Sequence, residues 1–105
     1  MEKNTAGRDQ LGEFAPKFAE LNDDILFGQV WSREDELNPR DRSMITITAL
    51  ISGGNFEQLV FHMGKAKENG VTQEEMAEII THLAFYIGWP KAWSAFTIAK
   101  NVYEK

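Results

Sequence analysis

The chain has two imidazoles, His62 and His82, and imidazole is the side chain that titrates near neutral pH. His62 stands in FEQLVFHMGKAKENG, residues 56–70, where positions 59, 62, 63 and 66 share one helical face. It therefore lies within the stripe Leu59, Met63, Ala66, which points at a core or at a cavity in one. These residues leave two readings open: a core histidine with one satisfied hydrogen bond, or a proton-transfer group in a pocket. Gln58 stacks one turn before His62, which weakens the first reading. Glu57 falls about 140° from His62 at ~100° per residue, so the two do not pair within one helix. A first-turn carboxylate is also accounted for by the helix dipole alone.

The segment NPRDRS carries two arginines just after a helix start. Arg40 reads as part of a solvated first turn. Arg42 comes directly before an apolar run, and its guanidinium suits a bidentate grip on a carboxylate. His82 has Glu78 and Tyr86 one turn to either side, opposite Ala77, Ile80 and Ala84, which reads as a surface or subunit-interface position. The two histidines have no HxxxH or HExxH spacing, so no metal site is expected.

The elements that must position these groups are helical almost throughout. Leu11, Phe14, Phe18 and Leu21 recur at three- and four-residue steps, with Pro16 as the discord, and residues 1–10 read as a flexible N-terminus. Asn22 is a cap for a short helix carrying Ile25, Leu26, Val30 and Trp31. Asn38 and Pro39 open a helix to Ile51, with Met44, Ile45, Ile47, Thr48 and Ile51 favouring burial and Gly53-Gly54 as its stop. The run MITITALI also suits a strand, but the cap before it and the glycines after it agree on helix. Asn55 caps the helix of His62, with Gln58 at the capping-box position and Gly70 as terminator. Thr72 and Glu75 form a capping box for a helix burying Met76, Ala77, Ile80, Leu83, Ala84 and Ile87. The GWP turn at 88–90 breaks the chain, and Pro90 opens a last helix with Trp93, Phe96, Ile98, Ala99 and Val102. These patterns predict a single all-α domain of about five helices over residues 1–105.

Composition narrows the chemistry. With 105 residues the core is small, yet 43% are hydrophobic, including seven Phe, three Trp and four Met. That surplus favours an oligomer. The absence of cysteine excludes disulfides and thiolate nucleophiles and suits the cytoplasm. No apolar run approaches the ~20 residues of a membrane span, and the polar start MEKNTAGRDQ is unlike a signal peptide. A net charge of −5 with no Lys/Arg stripe argues against nucleic acid as partner.

The ordered elements FGQVW, LNPRDRS, EQLVFH followed by AKENG, and YIGWPKAWSA resemble the carboxymuconolactone decarboxylase family of the alkylhydroperoxidase D-like superfamily, over about residues 11–103. The resemblance implies an all-α domain assembling into homo-oligomers, trimers or hexamers. Peroxidase-type members carry CxxCxxxH; here the thiol positions are Asn55 and Gln58, so thiol peroxidase chemistry is excluded. The decarboxylase branch converts 4-carboxymuconolactone to an enol-lactone and carbon dioxide in aromatic catabolism, with no cofactor. By that resemblance His62 is the proton-transfer group, Glu57 orients it or the substrate, and Arg42 holds a carboxylate of a small-molecule substrate. Gln58, His82 and Trp89 wall the pocket. Two alternatives stand beside this one: a cysteine-free relative with an antioxidant or other small-acid role, and a non-catalytic ligand-binding helical oligomer.

Overall fold

Each segment with a helical period is helical in the computed structural model, which describes residues 3–105. Among the described residues there are six α-helices and one π-helix, and no strand: α1 (Ala6–Leu11), α2 (Pro16–Glu20), the π-helix (Leu21–Val30), α3 (Pro39–Gly53), α4 (Phe56–Glu68), α5 (Gln73–Ile87) and α6 (Trp89–Tyr103). None of these helices is long and apolar enough to cross a membrane. The chain divides after Asn38 into two compact units.

The first unit departs from expectation in three ways. The segment expected to be flexible holds α1; residues 1 and 2 lie outside the described residues. Pro16 starts a new helix, α2, because its missing N–H costs nothing at a first turn. Asn22 caps nothing, since α2 runs straight into the π-helix. Asp23 of the π-helix, which is 1% exposed, ties α1 to it. Its carboxylate accepts from the Gly7 N–H at 2.8 Å, the Arg8 N–H at 3.0 Å and the Asn22 amide at 3.0 Å, while the Arg8 guanidinium grips Asp24 at 2.9 and 2.8 Å. Burial alone pushes the Asp23 carboxyl up, but the bonds from Asn22, Arg8 and Gly7 outweigh it and hold the group below its ordinary range.

Gly7 has no room for a side chain at this junction. A Cβ there would lie 2.7 Å from Asp23 Oδ1 and 2.9 Å from the Ala19 carbonyl oxygen. Gly7→Ala is therefore expected to destabilise the fold by about 1–3 kcal/mol through overpacking, read as a lowered urea midpoint. An unchanged midpoint would show that α1 does not rest on Asp23.

In the second unit the β-branched run of α3 is helix, and its threonines show how. Thr46 and Thr48 each donate a hydroxyl to the carbonyl four residues back, at 2.8 Å, which satisfies them inside the helix. Ile47 and Ile51 of α3, Leu59, Met63 and Ala66 of α4, Met76, Ile80 and Ala84 of α5, and Ala92, Ala95 and Ala99 of α6 form the core. Ile45, expected inside, is 59% exposed because the buried stripe runs through Ser43, Ile47 and Ile51 instead. On α6 the buried residues are the three alanines, with Ile98, Val102 and Tyr103 packed against the core beside them, while Trp93 stays 69% exposed. Small residues let α6 approach its neighbours closely and leave the large rings outside.

The helix ends are tied individually. Thr72 and Glu75 make both bonds of the expected capping box, at 3.1 and 3.0 Å. Asn55 stands at the start of α4 without a side-chain cap bond, so neither it nor Gln58 caps as expected. Gly88 stops α5 at φ 100, a conformation that suits glycine, and α6 follows at once with Pro90 in its first turn.

Candidate active site

Three polar ties orient the α3–α4 pair. The Asn69 amide donates to Ser43 Oγ at 2.9 Å and to the Pro39 carbonyl at 3.4 Å, so the end of α4 lies beside the start of α3 and the helices are antiparallel. Arg40 pairs with Glu75, which turns one flank of α3 toward α5. That corrects the solvated first turn expected for Arg40. Lys67 Nζ donates to the Val102 carbonyl at 3.1 Å, which turns one flank of α4 toward α6.

The opposite flanks follow from helix geometry. At about 100° per residue Arg42 falls ~160° from Arg40 around α3. On α4, Gln58, His62 and Lys65 fall roughly 180°, 140° and 160° from Lys67. Arg42, Gln58, His62 and Lys65 therefore share the face of the α3–α4 pair that is turned away from α5 and α6.

His62 is half-buried on this face with its Nδ1 out of solvent, and the Arg42 Nε is buried too. The Phe61 ring meets the imidazole edge-on, with centroids 5.0 Å apart. Burial lowers the proton affinity of His62 below its ordinary value, and the Lys65 charge lowers it further. A neutral imidazole on a face that also carries a guanidinium can take part in binding a carboxylate substrate and in exchanging a proton with it.

The other expected site residues lie elsewhere. Glu57 is exposed in the first turn of α4, on the flank its spacing predicts, away from His62. His82 is exposed on α5 and stacks on Tyr86 with centroids 5.0 Å apart. Trp89 is 59% exposed and meets Phe85 edge-on at 6.1 Å. The chain thus brings Arg42, Gln58 and His62 to one face and sets Glu57, His82 and Trp89 apart. Lys65 was not singled out from sequence, although its position three residues after His62 placed it on that side of the helix. A separate apolar cleft of about 280 Å³ lies between α5 and α6, lined by Met76, Phe96, Ala99 and Tyr103, with Lys100 and Glu104 among its polar residues.

Comparison with known proteins supplies context for this face. Residues 16–101 match the model of the carboxymuconolactone decarboxylase family. The chain is 32% identical over 96 residues to the 4-carboxymuconolactone decarboxylase of Acinetobacter baylyi, covering 91% of this chain and 71% of that protein. It is also 32% identical over 82 residues to the nitrosuccinic acid decarboxylase of Metarhizium robertsii, covering 78% of this chain and 57% of that protein. The family model spans most of the chain and the Acinetobacter baylyi relative aligns with nearly all of it, so the chain belongs to the carboxymuconolactone decarboxylase family.

Proposed function

We propose that this protein is a cofactor-independent carboxy-lyase acting on a small carboxylated lactone or oxo-acid in the cytoplasm, with 4-carboxymuconolactone as the first substrate to test. The observation that carries the reading is the half-buried imidazole of His62 on the same face as Arg42. In the proposed reaction Arg42 holds a carboxylate by charge-assisted hydrogen bonds. The carbon–carbon bond to the departing carboxylate breaks, carbon dioxide leaves, and the electron pair delocalises toward a carbonyl. His62 then delivers a proton to the carbanion carbon and is recharged from solvent. Both relatives are named as decarboxylases, which supports this chemistry without choosing the substrate.

The test is an assay of the purified protein with 4-carboxymuconolactone and with nitrosuccinic acid, following carbon dioxide release. Turnover of either supports a carboxy-lyase, and which one is faster identifies the acceptor the site prefers. A second reading, a ligand-binding helical oligomer without catalysis, draws on the apolar α5–α6 cleft, which His62 does not line. No carbon dioxide from either compound would favour it. In both readings the exposed rings of α5 and α6 are covered by further copies of the chain, as a trimer or hexamer.

A further inference from the structure

We infer that the cleft between α5 and α6 is a second binding site, for an uncharged aromatic molecule of one or two rings. His62 does not line it, so the site is independent of the carboxy-lyase reading, and it supplies a ligand class for the reading that draws on this cleft.

Small residues make the space. Ala77 on α5 and Ala99 on α6 leave a gap between larger neighbours: Met76, 1% exposed, and Ala99, 7% exposed, lie deepest, and Phe96 and Tyr103 stand one turn to either side of Ala99. The cleft measures about 280 Å³. An apolar cavity of about 150 Å³ is enough to take up benzene, so this one has room for a single ring or two fused rings.

The far wall is held from outside the cleft. Lys67 of α4 donates to the Val102 and Lys105 carbonyls, each at 3.1 Å, and the Tyr103 hydroxyl donates to the Val71 carbonyl at 2.7 Å. Lys67 Nζ also stands 5.9 Å from the centre of the Tyr103 ring. The end of α6 is thus tied to α4 and to the α4–α5 connection, and Tyr103, its hydroxyl committed to the backbone, offers the cleft only its ring. A wall fixed in this way is not ordered at the ligand's expense.

The lining selects the ligand. Two rings and a thioether favour another aromatic through ring–ring and sulfur–ring contacts. The rim carries one cation, Lys100, and one anion, Glu104, a turn apart at the end of α6, with Gln73 from α5. A carboxylate would gain from Lys100 what it loses to Glu104, and the apolar walls would desolvate it besides. An uncharged ring that carries an N–H for Gln73 or Glu104 meets no such opposition.

Titration of the purified full chain with indole and with indole-5-carboxylate, followed by amide proton and nitrogen shifts, tests the site. Indole is expected to give saturable shifts at Ala77, Phe96 and Tyr103, and to bind about tenfold more tightly than its carboxylate, the cost of placing an unmatched charge against apolar walls. Ala77 is exposed at the edge of the cleft, so Ala77→Trp fills the space without entering the core and should weaken indole about tenfold or more. Ala77→Ser leaves the space and should bind as wild type does, with circular dichroism confirming that both variants are folded. The assignment is overturned by the absence of saturable shifts, by shifts centred elsewhere, by a carboxylate that binds as tightly as indole, or by undiminished binding in Ala77→Trp. It is overturned equally if light scattering shows assembled chains that take up no indole, since a second copy would then be the occupant. Carbon dioxide release from 4-carboxymuconolactone, or its absence, changes none of these outcomes.

Discussion

His62→Gln is expected to lower turnover by about 100- to 10,000-fold, the range for losing a positioned proton-transfer group, with little change in melting temperature at pH 8. Glutamine keeps much of the volume and a hydrogen-bonding end in a half-buried site, so the helix pair should survive the exchange. The pH dependence distinguishes the proposed role from a structural one. Because burial and then Lys65 hold His62 below its ordinary pKa of 6.5, the free protein carries a neutral imidazole over most of the neutral range. If imidazolium is the donor, kcat/KM falls as pH rises through that lowered pKa. The corresponding limb in kcat lies at higher pH, because bound carboxylates favour the charged ring. Stability runs the other way. The unfolded chain takes up a proton at His62 more readily than the folded one, so wild type loses stability as pH falls from 6.5 through the lower folded pKa, and nothing is lost above 6.5. His62→Gln should lack that acid-side loss. A variant that turns over like wild type removes the imidazole from the mechanism; a rate that rises with pH through the same pKa makes it a base.

The face that holds His62 was legible because it depends on one helix. Leu59, Met63 and Ala66 repeat at helical steps and are all fully buried, which fixes where His62 must lie. Glu57 was separable from His62 for the same reason. Features that depend on distant residues were not legible. Arg40 and Glu75 are 35 positions apart, so the ion pair that orients α3 leaves no local signature. The π-helix is invisible to a 3.6-residue period, and the bonds by which its Asp23 holds Gly7 and Arg8 span 16 and 15 residues. On α6 the hydrophobic scale misled: Trp93 outweighs Ala92 in any pattern, yet the alanine is buried and the tryptophan is not.

Those exposed rings carry the second large expectation. If the exposed rings form the proposed interface between copies, Trp93→Glu combined with Tyr86→Glu should yield single chains where the wild type gives a trimer or hexamer, read by light scattering after size exclusion. Phe85, Tyr86, Trp89 and Trp93 are 79, 77, 59 and 69% exposed, and Phe96 is 37% exposed. An aromatic side chain buries about 150–250 Å² when fully covered, so these five alone offer on the order of 500 Å², a large part of the roughly 800 Å² per partner of a stable interface. Two carboxylates placed among them would each have to be desolvated without a partner, which costs more than the lost ring contacts. Assembly unchanged in the double variant would place the interface elsewhere. The same variant decides what His82 and Glu57 do. His82 stacks on Tyr86 at the edge of this patch, and Glu57 lies exposed on α4, so either reaches a His62 face only from a neighbouring copy. Single chains that keep full turnover would make both residues dispensable for catalysis; turnover lost together with assembly, in chains that circular dichroism shows to be folded, would mean that a neighbour completes the site.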